Sequence, residues 1–287
     1  MAETWTVLRL LQWTEEFFGR KGLESARLDA QRLLAQVLEL DRVGLYLQFD
    51  RLLSAEELAA YRRLVERRAA REPLQYILGR TEFWSLELEV NPAVLIPRTD
   101  TEVLVEEALA RGNKKGRILD IGTGSGALAV ALARELPESR IEALDISAAA
   151  LEVAKANARR HGLDDRIELR QEDLHRLSGG PYDLMVANPP YIPAGDLAGL
   201  MPEVRDHEPR QALDGGADGL DAYRSLAGQA ANLLASGGWL LVEVGIGQAE
   251  AVAELFAGAG LQEVYSRPDY AGIPRVVGGK KAARSEA

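Results

Sequence analysis

From Thr4 to Arg71 the apolar residues recur at intervals of three and four. Leu33, Leu34, Val37 and Leu38 form one such set, and Leu58, Tyr61, Leu64 and Val65 form another. That period marks helices with one face turned to a core, and no strand-like alternation interrupts it. It predicts a small all-helical domain over residues 1–75. Within it, Ser54-Ala55-Glu56-Glu57 reads as a capping box: the Ser54 hydroxyl accepts the Glu57 N–H while the Glu57 carboxylate reaches back. The helix so opened must end before Pro73.

The pattern changes over residues 76–99. Phe83 to Val90 ends in alternating apolar and acidic positions, Asn91-Pro92 breaks the run, and Ala93 to Ile96 forms a second short apolar stretch. A β-hairpin linker is predicted here. Thr99-Asp100-Thr101-Glu102 has the form of a second capping box, opening an amphipathic helix through Val103, Leu104 and Leu109. Residues 100–287 then make the second domain. Apolar runs at Arg117–Ile121, Arg140–Asp145, Arg166–Arg170, Tyr182–Ala187 and Trp239–Val244 are separated by helical stretches or, between the third and fourth, by a loop. Such alternation is the mark of an α/β domain with a mostly parallel sheet. Runs at Gln262–Ser266 and Arg275–Gly278 extend it to seven strands, the last expected to be antiparallel.

Composition narrows the chemistry. The chain has 287 residues and a net charge of −10, which disfavours partners gripped through their phosphates, such as DNA or bulk RNA. With no cysteine there are no disulfides, thiolate nucleophiles or Cys-ligated metals. His161, His175 and His207 are too scattered to suggest a metal site. The N-terminal residues lack the basic and apolar regions of a signal peptide, and no stretch nears the ~20 apolar residues of a membrane-spanning helix. A cytoplasmic protein is expected.

Two segments carry the chemistry. Asp120-Ile121 runs into Gly122-Thr123-Gly124-Ser125-Gly126 and then Ala127-Leu128-Ala129-Val130, a strand, glycine turn and helix. Glycines allow close backbone approach to a ligand, and a helix N-terminus offers free N–H groups. Both NAD and S-adenosylmethionine fit this turn, with Asp145 at the distance where an acid holds ribose hydroxyls. For S-adenosylmethionine, the turn takes the methionyl part and Asp120 its ammonium, directly or through water. Asp173 and Leu174 then border the adenine.

The second segment, Asn188-Pro189-Pro190-Tyr191, follows the strand Leu184–Ala187, at the sheet end where open α/β folds bind ligands. Two prolines make the loop rigid. An amide or aromatic amine nitrogen is a poor nucleophile because its lone pair is delocalised. Two acceptors on its N–H groups, the Asn188 side-chain oxygen and the Pro189 carbonyl, would orient it and stabilise developing positive charge. Tyr191 would pack on the planar group, and Asn188 would border the cofactor as well. Hydride transfer has no use for such a pair, which favours S-adenosylmethionine over NAD.

Together these segments resemble the class I methyltransferases, and more closely the HemK/PrmC family, which methylates a glutamine in peptide chain release factors. The likeness spans nearly the whole chain. It includes Phe83-Trp84-Ser85-Leu86, Val94 to Glu102, the glycine turn, the Asn188 loop with Ile192, Glu208-Pro209, Ala212-Leu213, Asp218-Gly219-Leu220, Tyr223-Arg224 and Glu243-Val244-Gly245 with Gln248. The resemblance implies a Rossmann-like catalytic domain and a helical domain that helps grip the substrate. It also implies S-adenosylmethionine as donor, S-adenosylhomocysteine as product and class 1 release factors as partners, methylated on the glutamine of a Gly-Gly-Gln loop. Two positions depart from it: Thr99 stands where proline is expected, and Leu174 where some relatives carry an aromatic. The Asn-Pro-Pro-Tyr loop is shared with nucleic-acid amino methyltransferases, which are the alternative, and a cofactor-binding module without turnover is a third reading. Arg98 and Glu243 stand near the site with no role fixed. Arg62, Arg63, Arg67 and Arg68 make a basic stripe, a candidate partner surface.

Overall fold

The computed structural model describes residues 4–112 and 115–283, and their backbone packing divides into two compact units. The first comprises residues up to Gly79 together with Pro202–His207. It contains five successive helices: α1 (Val7–Arg20), α2 (Ala26–Leu38), α3 (Arg42–Leu47), α4 (Ala55–Ala69) and α5 (Leu74–Leu78). Their apolar faces meet in a core built on Phe18, Leu33, Leu34, Tyr61 and Val65. The Ser54 capping box is formed, with Glu57 N donating to Ser54 Oγ at 3.2 Å and Ser54 N to Glu57 Oε2 at 2.8 Å.

The second unit begins with a hairpin, β1 (Arg80–Phe83) and β2 (Leu86–Glu89). It lies earlier than the apolar runs predict. Its turn is Trp84-Ser85, both residues at positive φ (52° and 54°), and Ala93–Ile96 is not a strand. A two-residue turn of this twist suits hairpins but usually takes Asn-Gly. Here Trp84 N donates to Glu102 Oε1 at 2.8 Å, which helps hold the strained turn. That contact also explains why the second capping box does not form. Thr99–Thr101 make a 3₁₀ turn leading into α6 (Glu102–Arg111), no side chain caps it, and the Glu102 carboxylate is committed to the hairpin.

The rest alternates as expected: β3 (Arg117–Ile121), α7 (Ala127–Glu135), β4 (Arg140–Asp145), α8 (Ala148–Arg160), β5 (Ile167–Gln171), β6 (Tyr182–Ala187), α9 (Pro202–Arg205, packed in the first unit), α10 (Asp221–Leu233), β7 (Leu234–Glu243), α11 (Ala249–Gly258), β8 (Gln262–Pro268) and β9 (Pro274–Lys280). The seven strands lie in the order β5-β4-β3-β6-β7-β9-β8, parallel except that β9 is antiparallel to both neighbours. Side chains alternate across the sheet. Ile118, Leu184 and Val186 join α6 and α7 in one core, while Leu119, Ile121 and Met185 join α10 and α11 in the other. Burial of both faces explains the nearly continuous apolar runs of β3 and β6. The order reverses at β3, with β4 on one side and β6 on the other. The carboxyl ends of these three strands therefore open onto one crevice, the topological switch point of the sheet.

Candidate active site

Those three strand ends carry Gly122, Asp145 and Asn188. They border a cavity of about 470 Å³, lined also by Thr123, Gly124, Ser125, Asp173, Leu174, Pro189 and Pro190. The glycine turn is held by its neighbours: Gly122 N and Thr123 N donate to Leu144 O, both at 2.9 Å. Gly126 caps α7 in the left-handed region (φ 80°), and a Cβ there would lie 3.1 Å from that of Ala154, so the third glycine packs helices and does not line the cavity.

Asp145 uses both oxygens. Oδ2 accepts from Gly124 N and Oδ1 from Ser147 N, each at 2.9 Å, and burial outweighs these bonds to raise its pKa above the usual carboxylate value. Its remaining lone pairs are free to accept. Asp173 accepts from His175 N at 2.9 Å, and the Leu174 carbonyl is fixed by Gln229 Nε2 at 2.9 Å.

Asp120 is fully buried and stands behind the turn, not on the cavity wall. Its Oδ2 accepts from Thr123 Oγ1 (2.6 Å) and Ala129 N (3.2 Å), whereas Oδ1 has no partner. Burial pushes its pKa up to about 7. A polar atom buried without a partner is costly, and Asp120 carries one at the back of the turn. Asp145 and Asp173 on the cavity wall give the crevice an acidic character that suits a positively charged ligand.

Asn188 Nδ2 donates to Thr101 Oγ1 at 3.1 Å, leaving the amide oxygen as the available end. Tyr191 does not line the cavity. Its ring packs into the core beneath the loop, its hydroxyl donates to Glu243 Oε1 at 3.4 Å, and its carbonyl accepts from Gln248 Nε2 at 2.8 Å. The Tyr191 ring, expected to pack on the planar group, is thus placed off the cavity lining. Glu243 is 1% exposed and its pKa rises to about 7 through burial, opposed by Thr101, Arg275 and Tyr191.

Asn157, Gln211 and Asp214 contribute without a recognisable signal in the sequence. Asn157, buried in α8, donates to Ser125 O at 2.8 Å and to Glu89 O at 2.9 Å, and accepts from Glu89 N at 2.7 Å. It joins the glycine turn to the hairpin. Val94, Leu95 and Pro97 line the cavity, as do Pro209, Gln211 and Asp214 from more than a hundred residues away in the chain. The two loops are tied by Glu208, which accepts from Arg98 Nη2 at 2.6 Å and from Ile96 N at 3.4 Å. Arg98 is therefore a loop tie. The basic stripe is largely neutralised: Arg62 pairs with Glu66, Arg67 with Glu72, and the buried Arg68 with Asp29 at 2.7 Å and Glu203 at 3.1 Å. Among the described residues, no cluster of three His, Asp or Glu side chains is placed to hold a metal, and no helix is long and apolar enough to cross a membrane.

A doubly wound sheet with a glycine turn, a strand-end acid and an Asn-Pro-Pro-Tyr loop at its switch point defines a methyltransferase of the class I fold. The methyltransferase from Pyrococcus furiosus shares this fold, with a TM-score of 0.53 and 17% identity over 80% of this chain and 100% of that one. Residues 9–79 match the family model described as PrmC N-terminal domain, and residues 99–199 the one described as Methyltransferase small domain. The chain is 52% identical to the release factor glutamine methyltransferase of Geobacter sulfurreducens over 97% of this chain and 98% of the relative. It is 48% identical to that of Moorella thermoacetica, over 88% and 91%. The chain belongs to the release factor glutamine methyltransferase family.

Proposed function

We propose that this enzyme methylates the side-chain amide nitrogen of the glutamine in the Gly-Gly-Gln loop of class 1 peptide chain release factors. S-adenosylmethionine is the donor and S-adenosylhomocysteine the product. The observation that carries the reading is the tethering of Asn188 Nδ2 to Thr101, which leaves Asn188 Oδ1 as an acceptor at the cavity wall beside the glycine turn.

The cavity's donor set fits the cofactor. Asp145 accepts the ribose hydroxyls, Asp173 and Leu174 border the adenine, and Gly122 to Ser125 embrace the methionyl part. The partnerless Asp120 Oδ1 accepts from the ammonium, directly or through water. When bound, S-adenosylmethionine supplies an electrophilic methyl group on a sulfonium.

Asn188 Oδ1 and the Pro189 carbonyl accept the two N–H groups of the glutamine amide. Held so, the nitrogen lone pair has a defined direction and the charge gathering on nitrogen meets two oriented dipoles. The prolines keep both acceptors in place at little entropic cost, since φ is fixed before substrate arrives. The helical domain, residues 1–75, is assigned the grip on the release factor, with residues 76–99 as linker and 100–287 as the catalytic domain. A substrate in translation carries a cytoplasmic location with it.

Nucleic acid is not favoured as acceptor, because the net charge is −10 and Arg62, Arg67 and Arg68 of the basic stripe are each in ion pairs. Labelled S-adenosylmethionine offered with an intact release factor, DNA and RNA together tests the choice. Label in the factor is expected. Label in nucleic acid with none in the factor would overturn the reading.

A further inference from the structure

We infer that Gln248 is a positioning residue for the methyl-accepting amide: by holding the Tyr191 carbonyl it fixes the far end of the Asn188–Tyr191 loop, and with it the direction of the two acceptors, Asn188 Oδ1 and the Pro189 carbonyl. This role rests on the one proposed for those acceptors.

The polar atoms of the Gln248 side chain all meet backbone groups. Nε2 donates to Tyr191 O at 2.8 Å and to Gly219 O at 3.3 Å, and Oε1 accepts from Gly245 N at 3.0 Å. An amide turned the other way would set its NH₂ against the Gly245 N–H and its oxygen against two carbonyls, so these partners admit one orientation only. The base of the side chain is fixed as well. Gln248 N donates to Gly245 O at 3.1 Å, and Val252 N to Gln248 O at 3.0 Å, at the start of α11. A polar residue at a helix N-cap ordinarily turns its side chain onto the first N–H groups of the helix. Gln248 makes no such cap and reaches to the loop instead.

Two glycines make room for it. A Cβ on Gly219 would lie 2.6 Å from Gln248 Nε2, and one on Gly245 would lie 2.8 Å from Gln248 Oε1 and 3.1 Å from Tyr191 Cδ2. Gly245 is not in the left-handed region, so the close approach of Gln248 and Tyr191, and not backbone strain, excludes a side chain there.

The loop is stiff enough to pass this hold on. At one end Ala187 is paired in the sheet with Ile121 and Val242, and at the other Tyr191 O meets Gln248. Between them Pro189 and Pro190 have φ locked by their rings, and each proline restricts the residue before it. Few torsions are left to absorb a displacement, so a shift of the Tyr191 end is carried to the Pro189 carbonyl. Gln248 does not border the cavity itself, which separates its effect from that of the cofactor-binding residues.

Gln248→Met keeps the length of the side chain and removes all three hydrogen bonds. Gln248→Asn, a milder change, keeps the amide and draws it back by one methylene. Both are compared with wild type and Asn188→Ala, well below every thermal midpoint, for kcat and KM on an intact release factor and for the Kd of S-adenosylhomocysteine by calorimetry. Val252→Ala, which opens a cavity under the same helix, is the control for lost stability alone and should lower the midpoint while keeping kcat. In Gln248→Met, kcat is expected to fall about 10- to 100-fold, the range for acceptors displaced by up to about 1 Å, with KM and Kd within about threefold of wild type. The Ile192 amide, which donates to Leu213 O at 3.0 Å just past the held carbonyl, should exchange its hydrogen faster. Wild-type kcat in Gln248→Met, or in Gln248→Asn where Gln248→Met does not fold, overturns the inference and leaves the proposed function standing if Asn188→Ala is inactive. So does unchanged exchange at Ile192, a loss of rate that Val252→Ala reproduces at an equal fall in midpoint, or one matched by an equal loss of S-adenosylhomocysteine affinity. An Asn188→Ala enzyme at the wild-type rate removes the proposed function itself, and the inference with it.

Discussion

Changing Asp145 to Asn removes one charge and exchanges one oxygen for an NH₂ of the same size, so its effect can be worked out from two hydrogen bonds. In the wild type Oδ1 accepts from Ser147 N and Oδ2 from Gly124 N, both at 2.9 Å. Asparagine has one oxygen to offer. Whichever way it turns, one of the two backbone N–H groups faces another donor in a partly buried setting, at a cost of about 1–3 kcal/mol. For a catalytic domain of this size the thermal midpoint of the free protein should fall by about 2–12 °C. The cofactor should suffer separately. A ribose hydroxyl that loses a charged acceptor gives up about 1.5–3 kcal/mol, or about 10- to 100-fold in Kd. Scanning calorimetry of the free protein and titration with S-adenosylhomocysteine, which is not turned over, read the two effects independently. A variant that melts like the wild type would show that Asp145 does not brace the glycine turn. Wild-type affinity would show that it does not hold the ribose.

Gly219→Ala tests the brace behind the Asn188–Tyr191 loop. Gly219 has φ of 77°, and a Cβ there would lie 2.3 Å from the Tyr191 carbonyl oxygen and 2.6 Å from Gln248 Nε2. Left-handed strain and overpacking together should cost about 2–5 kcal/mol, read as an earlier urea midpoint, together with reduced kcat. An unchanged midpoint would contradict the packing described. Asp120→Asn tests the buried acid. Its pKa of about 7 in the fold lies above the usual carboxylate value, so the folded state keeps a proton that the unfolded state has released. The associated stability is fully present below about pH 4 and is lost as pH rises through about 7. Relative to wild type the variant should therefore gain on the order of 1–4 kcal/mol between pH 5 and pH 8 in urea titrations, while binding the cofactor more weakly. A difference that stays constant with pH would refute this.

Much of the catalytic domain is readable from one sequence, because its strands obey a strong local rule. β3, β4 and β6 are apolar runs closed by a glycine, an aspartate and an asparagine, and a parallel sheet puts such ends on one edge, although the order that makes these three neighbours comes only from the structure. The hairpin was legible only as a hairpin. Its Trp84-Ser85 turn lacks the usual turn residues and depends on Glu102, and the same contact removes the capping box that Thr99 to Glu102 spell out locally. Asn157 looks like any polar residue in a helix until three of its hydrogen bonds are seen to join the glycine turn to β2. The path of residues 202–207 was hidden for a similar reason. It depends on Glu203 meeting Arg68 and Arg71, each at 3.1 Å, more than 130 residues apart. The placement of Tyr191 was not legible either: an aromatic beside Asn188 suggests packing on a ligand, whereas its hydroxyl meets the buried Glu243 carboxyl.

The central claim is that Asn188 presents a glutamine amide of a release factor for methylation, and mass spectrometry tests it most directly. An intact release factor is incubated with S-adenosylmethionine and either the wild-type enzyme or Asn188→Ala, then digested and mapped. A single added methyl on the glutamine of the Gly-Gly-Gln peptide, absent with the variant, is the predicted result. A methyl on any other residue, or equal methylation by both enzymes, would contradict the account.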